Sequence, residues 1–394
     1  ASWRPLKPPT GSCAPPTSRH VREILFVVGE ASGDLHAGKV AEALRILAPG
    51  LAMVGVGGGH MRTAGVEIIE DVENLAVMGF AEVVRHIPKH FALLGRLRER
   101  IHSGRVALVV LLDYPGFNLK VAEVAKKAGV PVLYYITPQV WAWGAGRLPK
   151  LARVVTKAAS ILPFEEGLLR RHGVDATFVG HPLLDRAQAL PTPAAARAAL
   201  GLPADGPILA VFPGSRRAEL ARHLTPFMET ASLLQARIPD LHVVVSVAPT
   251  VRISAADCPF PRVHGASFNV LRAATAGLLK SGTTTLEAAV AGLPHVIGYR
   301  TSAITYAIAR RVVKIPHIGL VNVVAHREVS REFVQDAFQA RQVADALMPL
   351  LDMQSAERAK AEAGLSEVRG MLGTPGASVR VATMIRDLVA ANTA

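Results

Sequence analysis

Val106-Ala107-Leu108-Val109-Val110-Leu111-Leu112-Asp113-Tyr114-Pro115-Gly116-Phe117-Asn118 is a run of seven apolar residues that breaks into a short polar turn. A strand with no apolar–polar alternation is buried on both faces, and that is the habit of a parallel sheet covered by helices. The run is far shorter than the ~20 residues of a membrane-spanning helix. Moving outward, further short apolar strands are predicted at Ile24–Val28, Ala52–Val56, Val132–Ile136, Ser160–Leu162 and Thr177–Val179. Helix-length segments such as Gly38–Leu47 and Leu119–Lys127 lie between them. The alternation pauses in the Pro- and Ala-rich stretch Ala187–Ala194 and then resumes. Strands are expected at Ile208–Phe212, His242–Val247 and Ala276–Leu279, with helices at Ala218–Ala236 and Thr284–Ala291. Strand–helix alternation of this kind specifies an α/β fold. The expectation is two doubly wound, Rossmann-like domains, 23–185 and 186–345. A helical tail begins near Val334, and its segment 346–394 is expected to pack back on the first domain.

Composition agrees with two large cores. The chain has 394 residues, half of them hydrophobic and 19% charged, which excludes a disordered chain and exceeds what one core usually organises. Cys13 and Cys258 are the only cysteines, too few for a disulfide framework or a Cys-rich zinc site. The net charge of +13 points to an anionic partner: phosphate, nucleic acid or an acidic membrane surface. Basic residues are shared evenly between the two halves, so a basic tail is not the source. Residues 1–22 begin with a Pro-rich stretch, Ala1–His20, that lacks the apolar segment of a secretory signal and reads as a disordered leader.

In open parallel sheets ligands bind beyond the carboxyl ends of the strands. Four loops hold such positions. Gly29-Glu30-Ala31-Ser32-Gly33-Asp34 follows the first strand; small residues there allow close backbone approach, and Asp34 alternatively reads as a helix cap. Asp113 leaves the most hydrophobic strand of the chain. A helix starting near Asn118 would leave it too far upstream to cap, so it reads as a cleft carboxylate able to accept a proton. Pro213-Gly214-Ser215-Arg216 combines backbone donors, a hydroxyl and a guanidinium suited to phosphate. Ser281-Gly282-Thr283-Thr284-Thr285-Leu286-Glu287 offers hydroxyls at a helix start, with Glu287 placed to meet a ribose; Thr284 and Glu287 also have capping-box spacing. Gly55-Val56-Gly57-Gly58-Gly59-His60 puts His60 where a dinucleotide fingerprint needs glycine, and no P-loop occurs, so a nicotinamide cofactor is not expected.

No metal site is expected either: the chain has no Asp-x-Asp and no His-Glu-x-x-His, and Pro88 lies between His86 and His90. Val77–Arg105 mixes apolar residues (Met78, Phe80, Val83, Val84, Ile87, Phe91, Leu93, Leu94) with Arg85, Lys89, Arg96, Arg98, Arg100 and Arg105. Tyr299–Lys314 repeats this character with Arg300, Arg310, Arg311 and Lys314. Such segments suit an anionic membrane surface, although core-facing helices with basic solvent sides give the same pattern.

Taken as a set, the loops resemble those of the lipid-A-disaccharide synthase family of inverting glycosyltransferases, whose two Rossmann-like domains form the GT-B architecture. The resemblance runs from about Ile24 to the C-terminal helices. It rests on Gly29-Glu30-x-Ser32-Gly33-Asp34, Leu75-Ala76-Val77-Met78-Gly79, Asp113-Tyr114-Pro115-Gly116-Phe117-Asn118 and Tyr134 through Trp143. It continues in Leu162-Pro163-Phe164-Glu165, Val179-Gly180-His181-Pro182-Leu183, Pro213-Gly214-Ser215-Arg216 and Ser281-Gly282-Thr283-x-Thr285-Leu286-Glu287. Departures are Thr137 in place of the usual Ser or Cys, a looser Val321-Asn322-Val323-Val324 segment, and the missing proline in Ser330-Arg331-Glu332.

The resemblance implies transfer of 2,3-diacylglucosamine from UDP-2,3-diacylglucosamine to 2,3-diacylglucosamine 1-phosphate, giving a β-1,6-linked disaccharide 1-phosphate and UDP without a metal. It implies Asp113 as the base and Arg216 as the stabiliser of the departing diphosphate. Ser215, Ser281, Gly282, Thr283, Thr285, Glu287 and Asn322 fall on the donor side; Glu30, Ser32 and Asp34 on the acceptor side or in the cleft. Trp141-Ala142-Trp143 reads either as acyl-region lining or as an interdomain patch. A peripheral place on the cytoplasmic face of a bacterial inner membrane follows, with no nucleic-acid partner and room for a homodimer. A UDP-sugar 2-epimerase of the same fold is the alternative.

Overall fold

Two parallel sheets carry the molecule, and the order of their strands explains where the four loops gather. The computed structural model describes residues 22–74, 80–312 and 315–392. In the first sheet the strands are β1 (Glu23–Val28), β2 (Ala52–Gly57), β3 (Glu67–Asp71), β4 (Val106–Leu112), β5 (Val132–Tyr135), β6 (Lys157–Ser160) and β7 (Ala176–Phe178). In the second they are β8 (Ile208–Phe212), β9 (His242–Val247), β10 (Arg262–His264), β11 (Ala276–Lys280), β12 (His295–Tyr299) and β13 (Glu332–Val334). The spatial orders are β3-β2-β1-β4-β5-β6-β7 and β10-β9-β8-β11-β12-β13. Neighbouring strands pair in parallel throughout both sheets.

Each sheet is buried on both faces. On one side of the first sheet Leu25, Val27, Val109 and Leu111 pack with the helices Phe80–His102 and Pro115–Lys127. On the other side Ile24, Phe26, Val28, Val110 and Leu112 meet the helices Ala31–Leu47 and Ala377–Ala391. The period-two alternation of the pleat therefore feeds two cores from the apolar runs Ile24–Val28 and Val106–Leu112.

The internal strand β12 was not expected from sequence, and other deviations fall on short or edge strands. The fifth strand expected from sequence in this half, at Ser160–Leu162, lies at Lys157–Ser160 instead, because the N–H groups of Ile161 and Leu162 bond the Glu165 carboxylate rather than a neighbouring strand. The first helix starts at Ala31, not Gly38. Gly38 sits inside it because a Cβ there would stand 2.9 Å from the His60 backbone, so glycine serves a close helix approach rather than a loop.

The C-terminal segment divides. The helix Ala356–Met371 packs on second-domain helices, and Leu365 and Val368 are buried in that domain's core. Only the last helix, Ala377–Ala391, lies across Ala31–Leu47, with Val381, Ala382, Ile385 and Val389 inserted in the first core. A returning segment beginning at 346 is thus corrected to one beginning near 376. The expected leader (residues 1–22) lies outside the described residues, apart from Arg22. No described helix is long and apolar enough to cross a membrane.

Candidate active site

Strand order reverses between β1 and β4 in the first sheet and between β8 and β11 in the second. A crevice opens at such a switch point, beyond the carboxyl ends of the strands. The loops after β1 and β4 carry Glu30, Ser32 and Asp113; those after β8 and β11 carry Ser215, Arg216 and Ser281–Glu287. All four loops selected from sequence therefore sit at the two switch points. The domains also touch here: the Arg216 guanidinium approaches Glu30 Oε2 at 3.9 Å, with both side chains more than half exposed.

Asp113 follows β4 in an uncommon backbone state. Asp113, Tyr114 and Ile136 have φ of 46°, 48° and 58°, left-handed angles that cost energy for residues with a side chain. Buried donors hold this turn: the Asp113 carbonyl accepts from Tyr134 Oη at 2.6 Å and Asn118 Nδ2 at 2.8 Å. Gly29 has no room for a Cβ because the Tyr114 ring lies against it, while the Tyr114 hydroxyl bonds His90. The helix after this turn starts at Pro115 with Tyr114 as its cap residue, so the spacing argument from a start near Asn118 is corrected; even so, no side chain caps the helix. The Asp113 carboxylate opens to solvent at the cleft. Burial of its inner side pushes its pKa above the usual carboxylate range, Glu30 adds to this, and the Tyr114 N–H and Arg216 oppose it.

Across the cleft, Gly214 takes φ 134° and exposes Ser215 and Arg216. The helix Thr284–Ala291 begins with Thr283 as its cap residue and no side-chain cap, so the anticipated Thr284–Glu287 capping box is not formed. Glu287 instead faces Arg186 at 3.9 Å. Burial raises its pKa, while Arg186 and the Ser267 hydroxyl oppose the rise.

Four expected ligand-binding side chains are turned inward. Asp34 is buried and accepts the N–H groups of Gly58, His60 and Met61 at 2.6, 2.9 and 3.1 Å, which ties the first helix to the turn after β2. It caps that turn rather than its own helix. Thr285 is fully buried, donating to the Gly282 carbonyl at 2.8 Å. Asn322, also fully buried, donates to the Ser330 carbonyl and Glu332 and accepts from the N–H groups of Val329 and Ser330. Buried side chains engaged in this way shape loops. The Ser281 hydroxyl likewise donates to the Ile318 carbonyl at 2.7 Å.

Trp141 packs edge-on against Phe164, which meets His326 of the second domain, and its indole N–H bonds Glu165 at 3.0 Å. Both Trp141 partners belong to the first domain, and it is Phe164 that reaches the second. The proposed basic amphipathic surface is also divided: Leu93 and Leu94 belong to the first core, Arg100 forks onto Glu23 at 2.6 and 2.7 Å, and Arg96 pairs with Glu70. Val77 and Met78, and the side chains of Phe80, Val83, Val84, Arg85, Ile87, Trp143 and Arg310, lie outside the described residues, as do Lys314 and the Leu75–Gly79 motif. Among the described residues no cluster of three or more His, Cys, Asp or Glu side chains is placed to hold a metal ion. Sequence reading passed over Tyr134 and Lys280; a lone lysine closing the otherwise apolar β11 was the available signal for the latter.

Two parallel α/β domains that face each other across a cleft, with Glu30 and Asp113 on one wall and Arg216 on the other, define a GT-B protein. A model of the lipid-A-disaccharide synthetase family matches residues 24–374, and the chain belongs to that family of glycosyltransferases. It is 43% identical over 370 residues to the lipid-A-disaccharide synthase of Anaeromyxobacter sp. strain K, covering 91% of this chain and 96% of the relative. It is 40% identical over 374 residues to that of Syntrophus aciditrophicus, covering 93% and 97%. Among solved structures, UDP-GlcNAc 2-epimerase from Neisseria meningitidis, bound to UDP-GlcNAc, superposes with TM-score 0.65 at 10% identity over 93% of this chain and 100% of that one. The glycotransferase of kitacinnamycin gives 0.63 at 16% identity over 93% and 98%. These two likenesses concern the fold alone.

Proposed function

We propose that the chain, as a lipid-A-disaccharide synthase, joins two 2,3-diacylglucosamine units with Asp113 as the base. The acceptor is the 1-phosphate and the donor is the UDP derivative. The acceptor's 6-hydroxyl oxygen attacks the donor's anomeric carbon as its proton passes to the Asp113 carboxylate. The bond from that carbon to the diphosphate oxygen breaks, and UDP leaves with the electron pair. A raised carboxylate pKa favours accepting the proton. Arg216, the Ser215 region and the backbone of Ser281, Gly282 and Thr283 offset the charge growing on the diphosphate. Glu287 takes the ribose hydroxyls, Glu30 and Ser32 face the acceptor, and Asp34, Thr285 and Asn322 hold the loops in shape.

The observation that carries this reading is the placement of Asp113 and Glu30 on one wall with Arg216 on the other, close enough for the Glu30–Arg216 contact. A thin-layer assay with both acylated substrates tests it. Wild type should form disaccharide, and Asp113→Ala should lose about 10²- to 10⁴-fold in rate while still binding UDP. Unchanged turnover in that variant would remove Asp113 as the base; epimerised nucleotide sugar as the product would remove the transferase reading. Addition of chelator should leave the rate unchanged.

Both substrates are amphiphiles, so the enzyme works at the cytoplasmic face of the inner membrane. Phe91, 60% exposed, and Ile304, 76% exposed, stand on helices that carry basic residues and are the contact points we assign to an anionic bilayer. Co-sedimentation with vesicles containing anionic lipid should fall in Phe91→Asp and Ile304→Asp.

A further inference from the structure

Between the loops that follow β8 and β11 lies a carboxylate encircled by donors. Glu219 Oε2 accepts the Ser215 N–H at 3.0 Å, Oε1 accepts from Lys280 Nζ at 2.9 Å, and an Arg216 nitrogen stands 3.6 Å from Oε1. Glu219 and Lys280 are mostly buried, at 15% and 17% side-chain exposure. Burial pushes the Glu219 pKa up, but Lys280, the Ser215 N–H and Arg216 together outweigh it and hold the group below the ordinary range.

Two glycines bring backbone up to this group. A Cβ on Gly214 would lie 2.8 Å from Glu219 Cβ, and one on Gly282 would lie 3.6 Å from Lys280 Nζ. Lys280 Nζ also stands 5.7 Å from the centroid of the Tyr299 ring. A backbone N–H, an ammonium and a guanidinium converging on paired oxygens form the donor set that phosphate takes. A purely structural ion pair would need only one of these cations and no place at the switch point of the sheet.

We propose that Lys280 is a ligand of the donor's diphosphate and that Glu219 is an internal anion that competes with it for Lys280, Arg216 and the Ser215 N–H. The proposal rests on the reading of these loops as the UDP-sugar site. As diphosphate arrives, its oxygens take over the donors and the Glu219 carboxylate turns away. The competition lowers affinity for UDP, the leaving product, as well as for the donor, and so favours turnover.

Calorimetric titration of UDP, with uridine measured by competition, tests this in the full chain. Lys280→Met should weaken UDP at least tenfold and change uridine less than twofold, and Lys280→Arg should restore most of the loss. Glu219→Gln should tighten UDP several-fold, because the competing charge is gone; a structural role for the pair would weaken it instead. Equal loss of UDP and uridine binding in Lys280→Met, unchanged UDP affinity there, or weaker UDP binding in Glu219→Gln overturns the proposal. A wild-type chain that does not bind UDP would overturn the proposed function itself, whereas wild-type binding with an indifferent Lys280→Met removes only this inference.

Discussion

Tyr134 and Asn118 both bond the carbonyl oxygen of Asp113 and help hold the left-handed angles of its turn. Tyr134→Phe deletes one donor without opening a cavity, and the carboxylate should lose its aim. We expect kcat to fall about tenfold or more with KM little changed, since a small displacement of a reacting group is costly. The pH profile follows from the raised Asp113 pKa. The base works deprotonated, so kcat/KM should fall as pH drops through a value above the usual carboxylate range. Glu30→Gln removes one of the influences raising that pKa and should move the acid limb to lower pH. Asp113 was legible in the sequence because a carboxylate ended an otherwise apolar strand. Tyr134 was not, because an aromatic within an apolar strand gives no sign of whether its hydroxyl has a partner. Asn322 and Thr285 mislead for a related reason: polar residues in a ligand-binding loop can face the loop itself, and spacing does not tell which.

At the level of elements, the strands made of long apolar runs were readable; the edges were not, and neither was His295–Tyr299, an internal strand of the second sheet whose run is interrupted by His295 and Gly298. Val106–Leu112, Ile208–Phe212 and His242–Val247 have the expected bounds; apart from the exposed His242 and from Ser246 they are apolar, with a burial demand on both faces. The strand Glu67–Asp71 was missed since an edge strand needs no continuous apolar run, and Arg262–His264 and Glu332–Val334 are three residues each. The last helix is the element whose removal should matter most to the first domain. Ile385→Ala empties a fully buried position between that helix and the first sheet. A cost of about 2–5 kcal/mol is expected, read as a lower denaturation midpoint, with disaccharide formation retained at temperatures where the variant is folded.

Across the whole molecule, buried titratable groups set the response to acid. Burial lowers the pKa of His36, His223 and His295 to about 4 and that of His181 to about 3, against 6.5 when unfolded. The unfolded chain therefore binds more protons below pH 6.5, and stability present above that value is lost as pH falls toward 4 and below. Glu165 acts oppositely: burial raises its pKa to about 7, so its contribution is greatest below 4.5 and fades as pH rises to 7. Glu287 and Asp113, also raised, act in the same sense as Glu165; with four histidines against these three carboxyl groups, the urea midpoint should fall between pH 6.5 and 4. A midpoint that rises over this interval would show that these imidazoles are not held neutral.

The packing of Ala377–Ala391 against Ala31–Leu47 also sets a timetable for biosynthesis. Chains emerge from the ribosome amino end first, and domains ordinarily fold in that order. Here the earlier domain waits with part of its hydrophobic face bare until residues beyond 376 are released, whereas the second sheet and its helices are complete sooner. The half of the enzyme made first is the half finished last, and nascent chains stalled before the final helix should be the ones that chaperones retain.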